Sequence, residues 1–154
     1  MKKILLLPAL LLLISNISFA QLSFKTGSVE LDKDMATINA DAKLNIKGFT
    51  IDLSVSHSIP IPKIKELLKI MEPAEIILAK NISIIINKPM DDVVASYKIN
   101  KDKGWGQIAK EMGIKPGSPE FHALKGKTKE KGNSNSKSKG KGKKKGKKKG
   151  KGKK

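Results

Sequence analysis

Leu31, Met35, Ile38, Ala42, Ile46, Phe49 and Leu53 follow one another at gaps of 4, 3, 4, 4, 3 and 4. That is the period of a helix with one apolar face. Asp32 and Asp34 stand at its start, where carboxylates meet the positive end of a helix dipole. The pattern predicts one helix over about 32–57. A rival pattern overlaps its end. Phe49, Ile51, Leu53 and Val55 alternate with Thr50, Asp52, Ser54 and Ser56, and Gly48 could separate a helix from such a strand. A lone strand has no clear partner in this chain, so helix is preferred and strand stays open for 48–56.

Pro60 and Pro62 end that element, and Ile64, Leu67, Leu68 and Met71 make a short amphipathic helix after it. Glu72-Pro73 restarts the chain, with proline acceptable at a first helical position. Residues 74–86 are almost all apolar, with Lys80, Asn81 and Ser83 as exceptions, which predicts a central helix buried on most sides. Asn87-Lys88-Pro89 punctuates again. Asp91 and Asp92 then fall in the first turn of a helix whose inner face is Val93, Val94 and Tyr97. Ahead of all this, Gln21 to Val29 is polar and short, and is predicted to fray with Phe24 tucked down.

The densest punctuation lies at Gly104–Lys125. Trp105, Ile108, Ala109 and Met112 share one helical face. Gly113 stands where a left-handed residue closes a helix, and Pro116-Gly117 suits a type II turn. Ser118 is an N-cap with Pro119 at the first helical position, and Phe121 and Leu124 can fold back onto the Trp105 face. The unit is helix, turn, helix. As a DNA reader its second helix would be too short, losing regularity at Gly126, so a structural corner that closes the core is preferred. Connections marked by Pro or Gly throughout the chain predict an all-α, compact array of short helices closed by this corner.

The words Gly104-Trp105-Gly106, Ile108-Ala109-Lys110, Gly113-Ile114-Lys115-Pro116-Gly117-Ser118, Phe121-His122 and Leu124-Lys125 resemble the closing motif of a family of small exported bacterial proteins. Met71-Glu72-Pro73-Ala74-Glu75, Asn87-Lys88-Pro89 and Val93-Val94-Ala95-Ser96-Tyr97-Lys98 are similar to the same family, so the likeness spans roughly residues 24–125. The resemblance implies a signal peptide, a helical body and a Lys/Gly-rich end. It carries no catalytic residue over.

Charge changes the picture after Leu124. Residues 126–154 hold fifteen lysines and one glutamate, without an aliphatic or aromatic side chain. Such a segment cannot bury enough area to offset chain entropy, and its glycines oppose a basic helix, so it is expected to be disordered. Residues 21–125 carry fifteen lysines against thirteen acids and are an ordinary body. The chain has no arginine, so bidentate recognition of phosphate or guanine is unavailable to it. It also has no cysteine, which excludes disulfides, thiolate metal sites and thiol nucleophiles. At the other end, Met1-Lys2-Lys3, the apolar run Ile4 to Ile14 and Ser18-Phe19-Ala20 read as a signal peptide over 1–20, cut before Gln21. This implies export to the periplasm or exterior of a bacterium.

Chemistry is sparse. His57 and His122 are the two histidines; His122 reads as a partly buried hydrogen-bonding residue, and no metal-ligand cluster accompanies either one. The chain shows no phosphate-binding glycine loop and no nucleophile elbow, so no enzyme, metal or cofactor is expected. The lysine segment does carry a mechanism, since a dense polycation displaces counterions from any polyanion. Its densest cluster is Lys143, Lys144, Lys145, Lys147, Lys148 and Lys149. The reading is an exported monomeric helical body with an unnamed partner of its own. Its lysine tail adsorbs to anionic polymers or a membrane surface. The alternative is a sequence-blind nucleic-acid binder using the same tail.

Overall fold

Asn45 divides what the apolar period joins. The structure, a computed structural model, describes residues 24–137, with side chains placed through Lys131. In it α1 (Val29–Leu44) and α2 (Ile46–His57) are separate helices. Asn45 (φ −150°, ψ 71°) ends the first and caps the second, its Oδ1 accepting from the Gly48 N–H at 2.9 Å. The 32–57 helix is therefore two. The period runs across the break because both helices bury the same stripe: Leu31, Met35, Ile38, Ala42, Phe49 and Leu53 are buried, while Ile46 at the junction is half exposed. Residues 48–56 are helix, which answers the strand alternative.

The protein is all-α. α3 (Ile61–Leu67), α4 (Pro73–Ile86), α5 (Met90–Asn100), one 3₁₀ turn (Lys101–Lys103), α6 (Trp105–Glu111) and α7 (Pro119–Lys137) follow in order, and no strand occurs among the described residues. α4 is the hub, packed by α1, α5 and α7, with α6 laid on α5 and α3 on α2. Its Ile76, Ile77, Leu78, Ala79 and Ile82 are almost fully enclosed, as its apolar composition predicts. Its first turn is held from outside: the N–H of Ala74, one of the donors a helix start leaves unpaired, bonds Asn39 Oδ1 of α1 at 2.7 Å.

Two expectations about the chain ends change. The stretch 24–28 is fixed rather than frayed, with Phe24 and Thr26 both buried. At the other end α7 does not lose regularity at Gly126. It continues to Lys137 because Phe121, Leu124 and Thr128 repeat at helical spacing and all three are buried. Thr128 donates to Leu124 O at 2.9 Å and accepts from Asn81 Nδ2 of α4 at 3.3 Å. Each glycine costs a helix about 1 kcal/mol against alanine, and this packing outweighs that. Helix α7 thus keeps contact with the body as far as Thr128 and Lys131.

Candidate functional site

Three of the four groups of residues quoted for the resemblance, those holding Glu75, Tyr97 and Trp105, meet at one carboxylate. Glu75, in the first turn of α4, accepts from Trp105 Nε1 on Oε1 at 3.0 Å, and from Tyr97 Oη and the Glu72 N–H on Oε2 at 3.0 and 2.8 Å. Tyr97 also donates to Ile70 O at 3.2 Å. The two rings stack with centroids 5.3 Å apart and planes 28° off parallel. Burial, with the Glu75 charge beside it, pushes the Tyr97 phenol well above its ordinary range. Glu75 therefore joins α4, α5 and α6 at one point.

Glycine lets a fourth segment reach this corner. A helix start leaves N–H groups without partners, and α6 receives its partners from the chain's beginning. Trp105 N donates to Phe24 O at 2.9 Å and Gly106 N to Lys25 O at 2.8 Å. A Cβ at Gly106 would sit 2.9 Å from the Lys25 carbonyl oxygen, and Gly104 holds φ +86° against the same residue. The two glycines of the Gly-Trp-Gly word therefore make room for a strap, residues 24–26. Around strap and rings lies an open cleft of about 750 Å³, bordered by Lys25, Lys69, Lys101, Asp102, Glu72 and Ile70. The Glu75 carboxylate at the edge of this cleft is taken up by its three donors.

No family model matches the chain, and no curated protein or solved structure is similar to it. Its function must be argued from its own residues.

The residues expected to build the corner do so. Trp105, Ile108, Phe121 and Leu124 are buried. Gly113 (φ +91°) lets its own N–H and that of buried Ile114 bond back to Lys110 O and Ala109 O at 3.0 and 2.8 Å. Pro116 and Gly117 (φ +77°) span a turn closed by Ser118 N on Lys115 O at 3.1 Å. Ser118 caps α7 by accepting the Phe121 N–H at 3.2 Å. This bond network also holds the neighbouring Glu120 carboxyl below its usual range, through Glu120's own backbone N–H and the Ser118 hydroxyl.

His122 is exposed, not partly buried, because the turn places it on the solvent side of α7. The length of α7 removes one ground for rejecting a DNA-reading helix, but its outer face supplies another. That face carries Ala123, Gly126 and Glu130 beside His122 and Lys127, a poor set for contacting base edges. Among the described residues, no group of three or more His, Asp or Glu is placed to hold a metal ion.

The lysine cluster Lys143, Lys144, Lys145, Lys147, Lys148 and Lys149 lies outside the described residues, as does the segment 1–20. The approach to the cluster is described. Lys125 and Lys129 of α7 pair with Glu30 of α1 at 2.7 and 3.4 Å, and Lys131 pairs with Asp52 of α2 while donating to Ser56 Oγ at 3.0 Å. The lysines of α7 are thus partly neutralised by the body. The eleven lysines of 138–154 have no acidic residue among them.

Reading the sequence alone missed Glu75, Asn39 and the Phe24–Thr26 strap. Glu75 had a visible signal, since an acid three residues after the residue that starts a helix often turns back to the backbone there. Nothing in the pattern marked it as the partner of Trp105.

Proposed function

We propose that the protein is an exported, non-catalytic binding module that adsorbs to anionic envelope or extracellular polymers through its C-terminal lysines. The observation that carries the reading is the partition of charge. Residues 138–154 hold eleven lysines and no acid, whereas residues 21–137 hold nineteen lysines against fourteen acids and pair some of them. A polycation of this density binds polyanions by releasing their counterions, without arginine forks or aromatic stacking to choose among them. The apolar run before Ser18-Phe19-Ala20 supports export, and no helix among the described residues is long and apolar enough to cross a membrane. The Glu75 corner serves this function as scaffold.

Heparin binding across a salt series tests the reading, comparing the full chain with one whose eleven lysines in 138–154 are glutamine. The reading expects affinity to fall at least about a hundredfold in the glutamine chain, and to fall steeply with salt in the natural one. Equal binding by the two chains would move the anion site onto the body. Truncation is the poorer design unless it leaves α7 whole, since ending the chain at Lys125 removes Thr128 from the core.

A further inference from the structure

The cleft beside the Glu75 corner is lined by segments far apart in sequence. Lys25 comes from the strap, Lys69 and Ile70 from the turn after α3, and Lys101 and Asp102 from the 3₁₀ turn. All five are exposed, and Lys25 Nζ donates to Asp102 O at 3.2 Å, which ties the strap to the 3₁₀ turn. The cleft's volume of about 750 Å³ falls within the range of small-ligand sites, roughly 300–1,000 Å³.

Charge in this lining is unevenly paired. Glu72 meets Lys43 at 3.4 Å, and Glu75 is taken up by Trp105, Tyr97 and the start of its own helix. Lys25, Lys69 and Lys101 make no ion pair among the described residues, and neither does Asp102. Three ammonium groups and one carboxylate therefore border the cleft without a counter-charge. Ile70, 46% exposed, and partly buried Leu68 add an aliphatic wall. Trp105 and Tyr97 border the cleft too, but both are buried and present almost no ring face to it.

We propose that this cleft binds an acidic saccharide, its anionic groups on Lys25, Lys69 and Lys101, its hydroxyls donating to Asp102, and the C–H face of a sugar ring against Ile70 and Leu68. This goes beyond the adsorption reading, which uses residues 138–154 and leaves the body without a ligand of its own. The mixed lining favours a sugar acid. A plain anion would be repelled by Asp102, whereas a saccharide brings hydroxyl donors for that carboxylate. A single-stranded nucleic acid stacks its bases on exposed aromatic faces, which the buried rings do not offer. An extended peptide adds to a strand edge, and no strand occurs among the described residues.

The test compares trigalacturonate with citrate, an anion without a sugar, and maltotriose, a sugar without charge. Trp105 is the chain's one tryptophan and borders the cleft, so its emission reads occupancy there, and calorimetry reads binding independently. The full chain is used in its natural form and with the eleven lysines of 138–154 as glutamine. In both forms trigalacturonate is expected to bind at least about tenfold more tightly than citrate or maltotriose. The Lys69→Gln/Lys101→Gln variant, changed only at exposed side chains, is expected to lose about tenfold in that affinity while its melting midpoint stays put. Neither heat nor emission change with trigalacturonate in the glutamine form overturns the proposal. So does citrate binding as tightly as trigalacturonate, or a single-stranded oligonucleotide that displaces it. Equal affinity in the natural chain and the Lys69→Gln/Lys101→Gln variant also overturns it. Loss of heparin binding in the glutamine form bears on the adsorption reading alone, so the two ideas fail separately.

Discussion

The corner around Trp105 and the seam where α7 meets α1 and α2 use acids in opposite ways. At the corner Glu75 takes its hydrogen bonds from uncharged donors: an indole N–H, a phenol and a backbone N–H, with the rings 2% and 7% exposed. At the seam Glu30 and Asp52 meet lysine ammonium groups, and their side chains are 53% and 49% exposed. Neutral donors on a half-buried carboxylate fix geometry and respond less to salt than exposed ion pairs. Exposed ion pairs contribute little and are screened. The corner therefore sets the architecture, and the seam offsets the charge of a lysine-bearing helix so that it can lie against the body.

The sharpest break of that contrast is Trp105→Ala, expected to cost about 3–5 kcal/mol by opening a cavity and leaving Glu75 short of a donor. Thermal melting checks it, and an unchanged midpoint would remove the corner from the core. Next comes Glu75→Ala, expected to cost about 2–3 kcal/mol as Trp105 Nε1 and Tyr97 Oη lose a shared acceptor. Near-ultraviolet circular dichroism should change with it, since the stacked pair loses its anchor.

Tyr97→Phe is expected to cost about 1 kcal/mol at neutral pH and to carry an alkaline signature. The folded phenol's pKa lies above its ordinary 10.0, so the unfolded chain ionises first. The stabilisation from this shift is complete below about 10 and is lost as pH climbs from there through the folded value. Tyr97 is the chain's one tyrosine, so tyrosinate absorbance reads it alone. A titration at the ordinary value would undo the corner's geometry.

Smallest is the seam. Lys129→Ala is expected to cost no more than about 1 kcal/mol at low salt and less as salt rises. The lysines beside Glu30 lower its pKa, so what that pair contributes is present above the ordinary glutamate range and fades as pH falls below it. Melting of Glu30→Gln in high salt should match the natural chain. A salt-independent loss in either variant would make the seam structural in the same sense as the corner.

Much of the fold was legible because its core is periodic. Apart from half-exposed Ile46 and partly buried Leu68, the faces Leu31 to Leu53, Ile64 to Met71 and Val93 to Tyr97 are buried where their spacing places them. The division at Asn45 was not legible, because a break that preserves the apolar stripe leaves no trace in the stripe. Helix α7 was cut short at Gly126 because Thr128, which continues the row of Phe121 and Leu124, fills its slot with a hydroxyl whose partner, Asn81, lies on another helix. The corner was placed correctly, but its Glu75 and its strap are long-range partners, and local propensity carries no information about those.

The long reach of these contacts bears on the order in which the chain can close. Lys25 bonds Asp102 across 77 positions, and Lys129 bonds Glu30 across 99. The strap is among the first parts of the body to be synthesised, and the helix it caps and the helix that covers α4 are among the last. A growing chain holds α4's apolar surface uncovered until Thr128 has been made. Completion is then a late event in which beginning and end find each other, and a loop-closure cost of this length slows it.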